Sequence, residues 1–223
     1  MKTRLFFSAI IKFLLGVLLV GTLIFLPAGT ISFAYGWLMM SVLFIPMLLS
    51  GIVMFFKDTE LLRKRLNAKE KQKGQGTIVR MSGLMFVAGF TVAGMGVRFD
   101  WYLLPHGVVI GATVTFLTAY LLYAEVLREN SYLSRVIEVK EDQKVIDTGL
   151  YGIVRHPMYS ATLLLFLSMP LILGSIYSFL IFLLYPFIIA KRIQNEEELL
   201  EKELFGYREY KQKVKYRLIP FVW

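Results

Sequence analysis

Two short polar clusters hold the residue types in this chain that could do chemistry. The first is Asp147-Thr-Gly-Leu-Tyr-Gly-Ile-Val-Arg-His-Pro-Met-Tyr159, and the second is Arg192-Ile-Gln-Asn-Glu196-Glu197. Residues 160–190, between them, carry no charge. An apolar hairpin of that kind brings the chain back to the side it left, so the two clusters can meet at its open end. Polar groups that converge beside lipid mark a site more often than they mark packing. Pro157 suits the first position of a helix, where its missing N–H costs nothing. Gly149 and Gly152 permit a tight approach turn. Arg155 and His156 then sit just before a helix start whose backbone N–H groups point outward, a place that suits a carboxylate. Arg192 and Glu196 are four apart and share a helix face. Each cluster alone has a plain reading: an ion pair ending a membrane helix, and a snorkelling boundary. Their joint position at the two ends of one short hairpin favours a site.

The elements that must position these clusters are set by composition. The chain has 223 residues, of which 57% are hydrophobic and 18% charged. The apolar residues fall in long blocks, which predicts an all-α integral membrane protein. No polar block is long enough to bury a core of its own, so residues 1–223 read as one membrane domain. There is no cysteine, which excludes disulfides and thiolate chemistry. Two histidines, His106 and His156, are too few for a histidine metal cluster, and no metal is expected.

Six membrane spans are predicted: 5–26, 33–56, 81–97, 107–127, 158–173 and 176–190. The first is too long for a signal-peptide core, and its Lys12 can snorkel toward the basic start. The third is glycine-rich (Gly83, Gly89, Gly94, Gly96), and the fourth carries Gly107-x-x-x-Gly111; both patterns suit close helix packing in lipid. Gly94-Met-Gly96 is no dinucleotide loop, since no strand precedes it. The last two spans are about 16 residues each, or roughly 24 Å, short of a hydrocarbon core of about 30 Å. Val136–Val139 and Lys144–Ile146 are short β-type runs that could pair as a surface hairpin. After Lys191, Glu196 to Phe205 is helical in pattern with Leu199, Leu200 and Leu204 on one side. Tyr207, Tyr210, Val214 and Tyr216 suggest a C-terminal amphipathic piece, and Arg217 to Trp223 reads as a docked tail.

Six spans put both termini on one side. That side then carries 24 of the 25 basic residues, with only Arg98 opposite. The positive-inside rule makes it cytoplasmic, together with both polar clusters. The net charge of +9 thus points to an anionic membrane face and not to nucleic acid.

From about Gly94 onward the chain resembles the isoprenylcysteine carboxyl methyltransferase family and, more loosely, the phospholipid methyltransferases. The resemblance is carried by Asn130-Ser-Tyr132, Val139, Gly149-Leu-Tyr151, Arg155-His-Pro-Met-Tyr159, Arg192-Ile193, Glu196-Glu197, Phe205-Gly206, Tyr207, Tyr210 and Arg217-Leu-Ile-Pro220. Ala161 stands where the family often has a smaller residue. Residues 1–93 show no motif, and 94–223 form the methyltransferase-like core. The resemblance implies a membrane enzyme using S-adenosyl-L-methionine. It implies that Gln143, Lys144, Val145, Ile146, Tyr151, His156, Pro157, Met158, Tyr159 and Glu196 bind that cofactor. It implies that Arg192 and Glu196 are catalytic, with Arg192 facing an amphiphilic or prenylated acceptor. A guanidinium grips a carboxylate through two parallel hydrogen bonds, which fits Arg192 to that task.

Three other readings compete. A phosphatidylethanolamine-type N-methyltransferase would need a base, and Arg192 would repel a cationic amine, although it could hold a phosphate. A sterol-type reductase would need a nicotinamide cofactor. A transporter would need charges along a path through the bilayer, and only Lys12 and Glu125 lie within spans.

Overall fold

An apolar run placed in lipid can satisfy its backbone N–H and C=O groups only by coiling on itself. The computed structural model describes residues 2–66, 75–130, 132 and 143–223, and among these it is helical, with no strand. The first half holds α1 (Lys2–Ala28), α2 (Ala34–Lys57), the short α3 (Thr59–Leu66), α4 (Gln75–Arg98) and α5 (His106–Glu129). A 3-10 turn at Gly149–Gly152 leads into α6 (Pro157–Ile172), α7 (Ile176–Phe182), α8 (Tyr185–Glu203) and α9 (Tyr207–Lys213).

Among the described residues, five stretches are long and apolar enough to cross a membrane: α1, α2, α4, α5 and the 28-residue stretch Ile176–Glu203 formed by α7 and α8. The sixth expected segment is α6, whose 16 residues keep it short. The expected end of the last span at Ala190 is corrected: the helix runs on to Glu203. Hydropathy falls where lipid gives way to water, but the backbone has no reason to stop coiling there. A break at Leu183–Leu184 separates α7 from α8, and Pro186 in the first turn of α8 explains it. Proline lacks the N–H and its ring crowds the carbonyl four residues back.

The glycine-rich face of α4 makes the closest approaches. A Cβ on Gly94 would lie 2.4 Å from the Ile24 carbonyl of α1, and one on Gly89 would lie 2.3 Å from the Phe182 ring of α7. Ser178 Oγ donates to the Gly89 carbonyl at 2.8 Å, a polar tie across two apolar helices. Phe86 meets Phe166 and Phe182 edge-on at 4.8 and 5.2 Å, contacts that add about 0.5–1.5 kcal/mol each beyond burial. Gly107 and Gly111 do not pack as their spacing predicts: nothing lies within 4 Å of a Cβ at either.

The two ends of the bundle differ. At one, the Leu104 N–H donates to the Gly174 carbonyl at 2.9 Å and ties the α4–α5 turn to the α6–α7 turn. At the other gather the C-terminus of α5, the N-terminus of α6 and the charged half of α8. The basic stretch after α2 also folds there in part, as α3. Lys12 snorkels in the expected direction and donates to the Leu66 carbonyl at 2.7 Å. Of the expected β-type hairpin, Val136–Val139 lies outside the described residues, and Lys144–Ile146 forms no regular structure.

Candidate active site

Helix α6 begins as its sequence demands, with His156 as the flanking residue and Pro157 in the first turn. The N–H groups of Arg155 and His156 donate to the carbonyls of Tyr216 and Arg217, both at 2.9 Å. The C-terminal tail is therefore docked on the protein, and Ser160 Oγ fastens it further by donating to the Leu218 carbonyl at 2.6 Å.

The carboxylate held beside Arg155 and His156 belongs to the chain itself, which corrects the expectation of an external anion. Glu197 is almost fully enclosed. Its Oε1 accepts from Arg155 Nε at 2.8 Å and from His156 Nε2 at 3.2 Å. Its Oε2 accepts from Arg217 Nε at 3.0 Å. Arg155 completes its hydrogen bonding on the carbonyls of Val214 and Lys215, both at 2.8 Å. Buried charges survive only when paired in this way. Glu197 thus pins α6, α8 and the tail together.

One residue of helix, about 100° of rotation, places its neighbour differently. Glu196 is half-buried, and its Oε2 accepts a 2.5 Å hydrogen bond from the Tyr159 hydroxyl. Arg192 Nε donates to the same hydroxyl at 3.0 Å. The phenol of α6 therefore bridges the two charged side chains of α8 that share a face. The His156 ring stacks beside Tyr159 at 5.8 Å.

These groups line one cleft, open to solvent at its mouth. Gln143, Lys144, Val145 and Ile146 border it, as do Tyr151, His156, Met158, Tyr159, Arg192 and Glu196. Of the sequence-predicted residues, only Pro157 stands back, buried in the first turn of α6 behind the lining. Sequence reasoning missed Asn130, Tyr132, Arg155, Leu200, Leu204, Tyr207 and Tyr210 as lining. For the two leucines a signal existed: 192, 196, 200 and 204 recur every fourth residue, so Leu200 and Leu204 share the cleft-facing side of Arg192 and Glu196.

The 3-10 turn is held from behind. Glu129 accepts from the Leu150 N–H at 3.0 Å, and Gly149 adopts φ +53°. Asn130 Nδ2 donates to the Tyr151 hydroxyl at 2.9 Å. Burial nevertheless pushes the Tyr151 phenol up to about 12, so it stays protonated at neutral pH. The Tyr210 hydroxyl donates to the Tyr151 carbonyl at 2.7 Å and fixes α9 over the turn. Lys213, at 2.6 Å, holds the Asp147 carboxyl below its usual range. Gly206 supplies the left-handed step, φ +83°, that turns α8 into α9.

Depth follows from helix rise. From Ile176 to Arg192 the chain climbs roughly 24 Å, and to Glu196 roughly 30 Å, about one hydrocarbon core. The cleft thus sits at a lipid–water boundary, with apolar helix below and charged helix above. Among the described residues no three histidine, aspartate or glutamate side chains cluster as metal ligands. The site's architecture is a cleft that pairs a guanidinium with a carboxylate through one phenol. The model of the phospholipid methyltransferase family matches residues 106–208, and over that stretch, which carries all of the cleft lining except Tyr210, the chain is similar to that family, a match that supports a membrane methyltransferase.

Proposed function

We propose that this protein moves a methyl group from S-adenosyl-L-methionine to the carboxylate of an amphiphilic acceptor, an isoprenylcysteine-type O-methylation. The observation that carries the reading is the Arg192–Tyr159–Glu196 bridge inside one cleft at the lipid boundary. The lining fits the cofactor. Glu196 offers a carboxylate for its ammonium or ribose hydroxyls, the polar stretch Gln143–Ile146 offers backbone groups, and Val145, Leu200 and Leu204 offer an apolar wall. The Tyr207 hydroxyl, buried in that wall, has no protein partner among the described residues. When bound, the sulfonium supplies an electrophilic methyl group.

The chain's own residues then have a limited task. A carboxylate acceptor with a pKa near 4 is already ionised at neutral pH, so no general base is needed. Alignment supplies much of the rate. Arg192 is the aligner, its guanidinium plane set by Tyr159. Glu196, held by the same phenol, is proposed to fix the cofactor, with Tyr151, His156, Met158 and Tyr159 as neighbouring contacts and Pro157 setting the helix start that carries them. The acceptor's apolar part would stay in lipid while the cofactor comes from water. The distribution of basic residues supports a cytoplasmic cleft with both termini on that side.

The family match favours a second reading, N-methylation of a phosphatidylethanolamine-type lipid, in which Arg192 would hold the phosphate. Transfer of labelled methyl groups into membrane extract, followed by alkali, separates the two. An ester releases labelled methanol, whereas an N-methyl lipid retains its label. Arg192→Ala is expected to abolish transfer yet keep affinity for S-adenosylhomocysteine, and Glu196→Ala to weaken that affinity. Unchanged affinity in the Glu196 variant, by calorimetry in detergent, overturns the assignment.

A further inference from the structure

The cleft has two ends of different character. Tyr159, Arg192 and Glu196 make the polar one. The other is a separate apolar cluster of Leu204, Tyr207, Tyr210 and Val214, with Val145 and Leu200 packed against it. All of these except Val214 face the cleft. The two tyrosine rings lie 5.7 Å apart and tilted by 55°. The annex is built from the charged half of α8, from α9 and from the 143–146 stretch.

Its two phenols are not equivalent. Tyr210 spends its hydroxyl on the Tyr151 carbonyl at 2.7 Å. Tyr207 is only 4% exposed, and its hydroxyl has no hydrogen-bond partner among the described residues. A shielded polar atom without a partner costs free energy, and in a native fold it calls for a reason. Phenylalanine would fill the same volume without the deficit. A hydrocarbon chain in the annex would leave the deficit in place, so the fitting occupant brings polar atoms of its own. Walls of leucine, valine and tyrosine suit a flat ring. Burial first, and then the nearby Glu197 and Glu196 carboxylates, oppose ionisation of Tyr207, so the hydroxyl keeps its proton to donate. A flat ring with acceptor nitrogens at its edge meets both demands.

We propose that the Tyr207 hydroxyl donates a hydrogen bond to a ring nitrogen of the methyl donor's adenine base, seated against Val145, Leu200, Leu204 and Tyr210, and so sets selectivity for that base. The proposal rests on S-adenosyl-L-methionine being the methyl donor. It adds a base-reading residue that lies outside the Arg192–Tyr159–Glu196 trio and outside the cofactor contacts that the family resemblance implies.

The test is calorimetry on the full chain in detergent. The probes are S-adenosylhomocysteine and three analogues in which the base N1, N3 or N7 is replaced by C–H. Tyr207→Phe is expected to bind S-adenosylhomocysteine about three- to ten-fold more weakly, the worth of one net hydrogen bond. One analogue is expected to lose the same factor on the wild-type protein and nothing further on Tyr207→Phe. Without ligand, Tyr207→Phe is expected to melt at or above the wild-type temperature, since it removes an unsatisfied group. Unchanged affinity in Tyr207→Phe overturns the proposal, and so does a loss that is equal for the parent compound and all three analogues. If Tyr207→Phe does not fold, the wild-type series decides alone: equal affinity for all four probes overturns the proposal. No binding of S-adenosylhomocysteine to the wild-type protein overturns the methyl-donor reading itself, an outcome distinct from binding without base discrimination.

Discussion

Removing the Glu197 side chain should damage this protein more than any other single change at the site. The Glu197→Ala variant strands Arg155, whose side chain is 4% exposed, and leaves His156 and Arg217 without their carboxylate. Breaking a buried pair from one side costs about 3–5 kcal/mol. Arg155 keeps the Val214 and Lys215 carbonyls, and Arg217 can rehydrate, so the lower end, about 3 kcal/mol, applies here. For a chain of this size that lowers Tm by roughly 6–12 °C. Lys211→Ala is the control. Lys211 is 37% exposed and 3.7 Å from Glu197, and its loss should cost under about 1 kcal/mol. The double variant Arg155→Leu, Glu197→Leu should cost less than the sum of its two single variants, because it leaves no enclosed arginine beside a missing carboxylate. The assay is thermal unfolding in detergent, with S-adenosylhomocysteine affinity as a second readout. Melting of Glu197→Ala within about 2 °C of wild type, an interaction worth under roughly 1 kcal/mol, would refute the view that this carboxylate pins three elements.

Three smaller expectations follow from the same geometry. Gly149→Ala forces a side chain into φ +53° and sets a Cβ 1.7 Å from Glu129 Oε1; a loss of at least about 1–3 kcal/mol is expected, read as a lower Tm together with weaker S-adenosylhomocysteine binding. Ser178→Ala removes only the bond to the Gly89 carbonyl and should cost about 0.6 kcal/mol, whereas Gly89→Ala, aimed into the Phe182 ring, should cost visibly more Tm. Asp147 is held below its unfolded pKa by Lys213. Its contribution to stability is therefore present above the unfolded value, about 3.9, and fades as pH falls through the folded one. Being exposed, the pair is screened, so Asp147→Asn should narrow the Tm difference between neutral and acid pH at low salt and leave it unchanged at high salt.

Local rules reached far into this site. Proline at the first turn made the start of α6 legible, and the four-residue spacing made the shared face of Arg192 and Glu196 legible. What local rules missed lies across distance. Glu197 read as the second half of a doublet because its partners stand 20, 41 and 42 residues away, and no helical period links them. Tyr207 and Tyr210 read as an interfacial stripe, since a face turned to a cleft wall and a face turned to lipid have the same composition. The length of α8 was underread because hydropathy reports solvent and not backbone. Helix α3 was missed because eight residues rich in arginine and lysine show no apolar face long enough to weigh. Lys144–Ile146 looked like a strand only because a run of three residues cannot distinguish extended coil from sheet.

The backbone pairing of Arg155 and His156 with Tyr216 and Arg217 has a consequence for biogenesis. Helices α1, α2 and α4 to α8 can enter the bilayer one after another as the ribosome feeds them. The cleft, however, needs carbonyls that lie 59 and 60 residues beyond Arg155. Until residues 214–218 have been translated, the nascent protein is inserted but unfinished, with an arginine waiting for its partners. Assembly of the cleft therefore waits on translation of residues 214–218, and a ribosome stalled before them leaves that arginine without its partners.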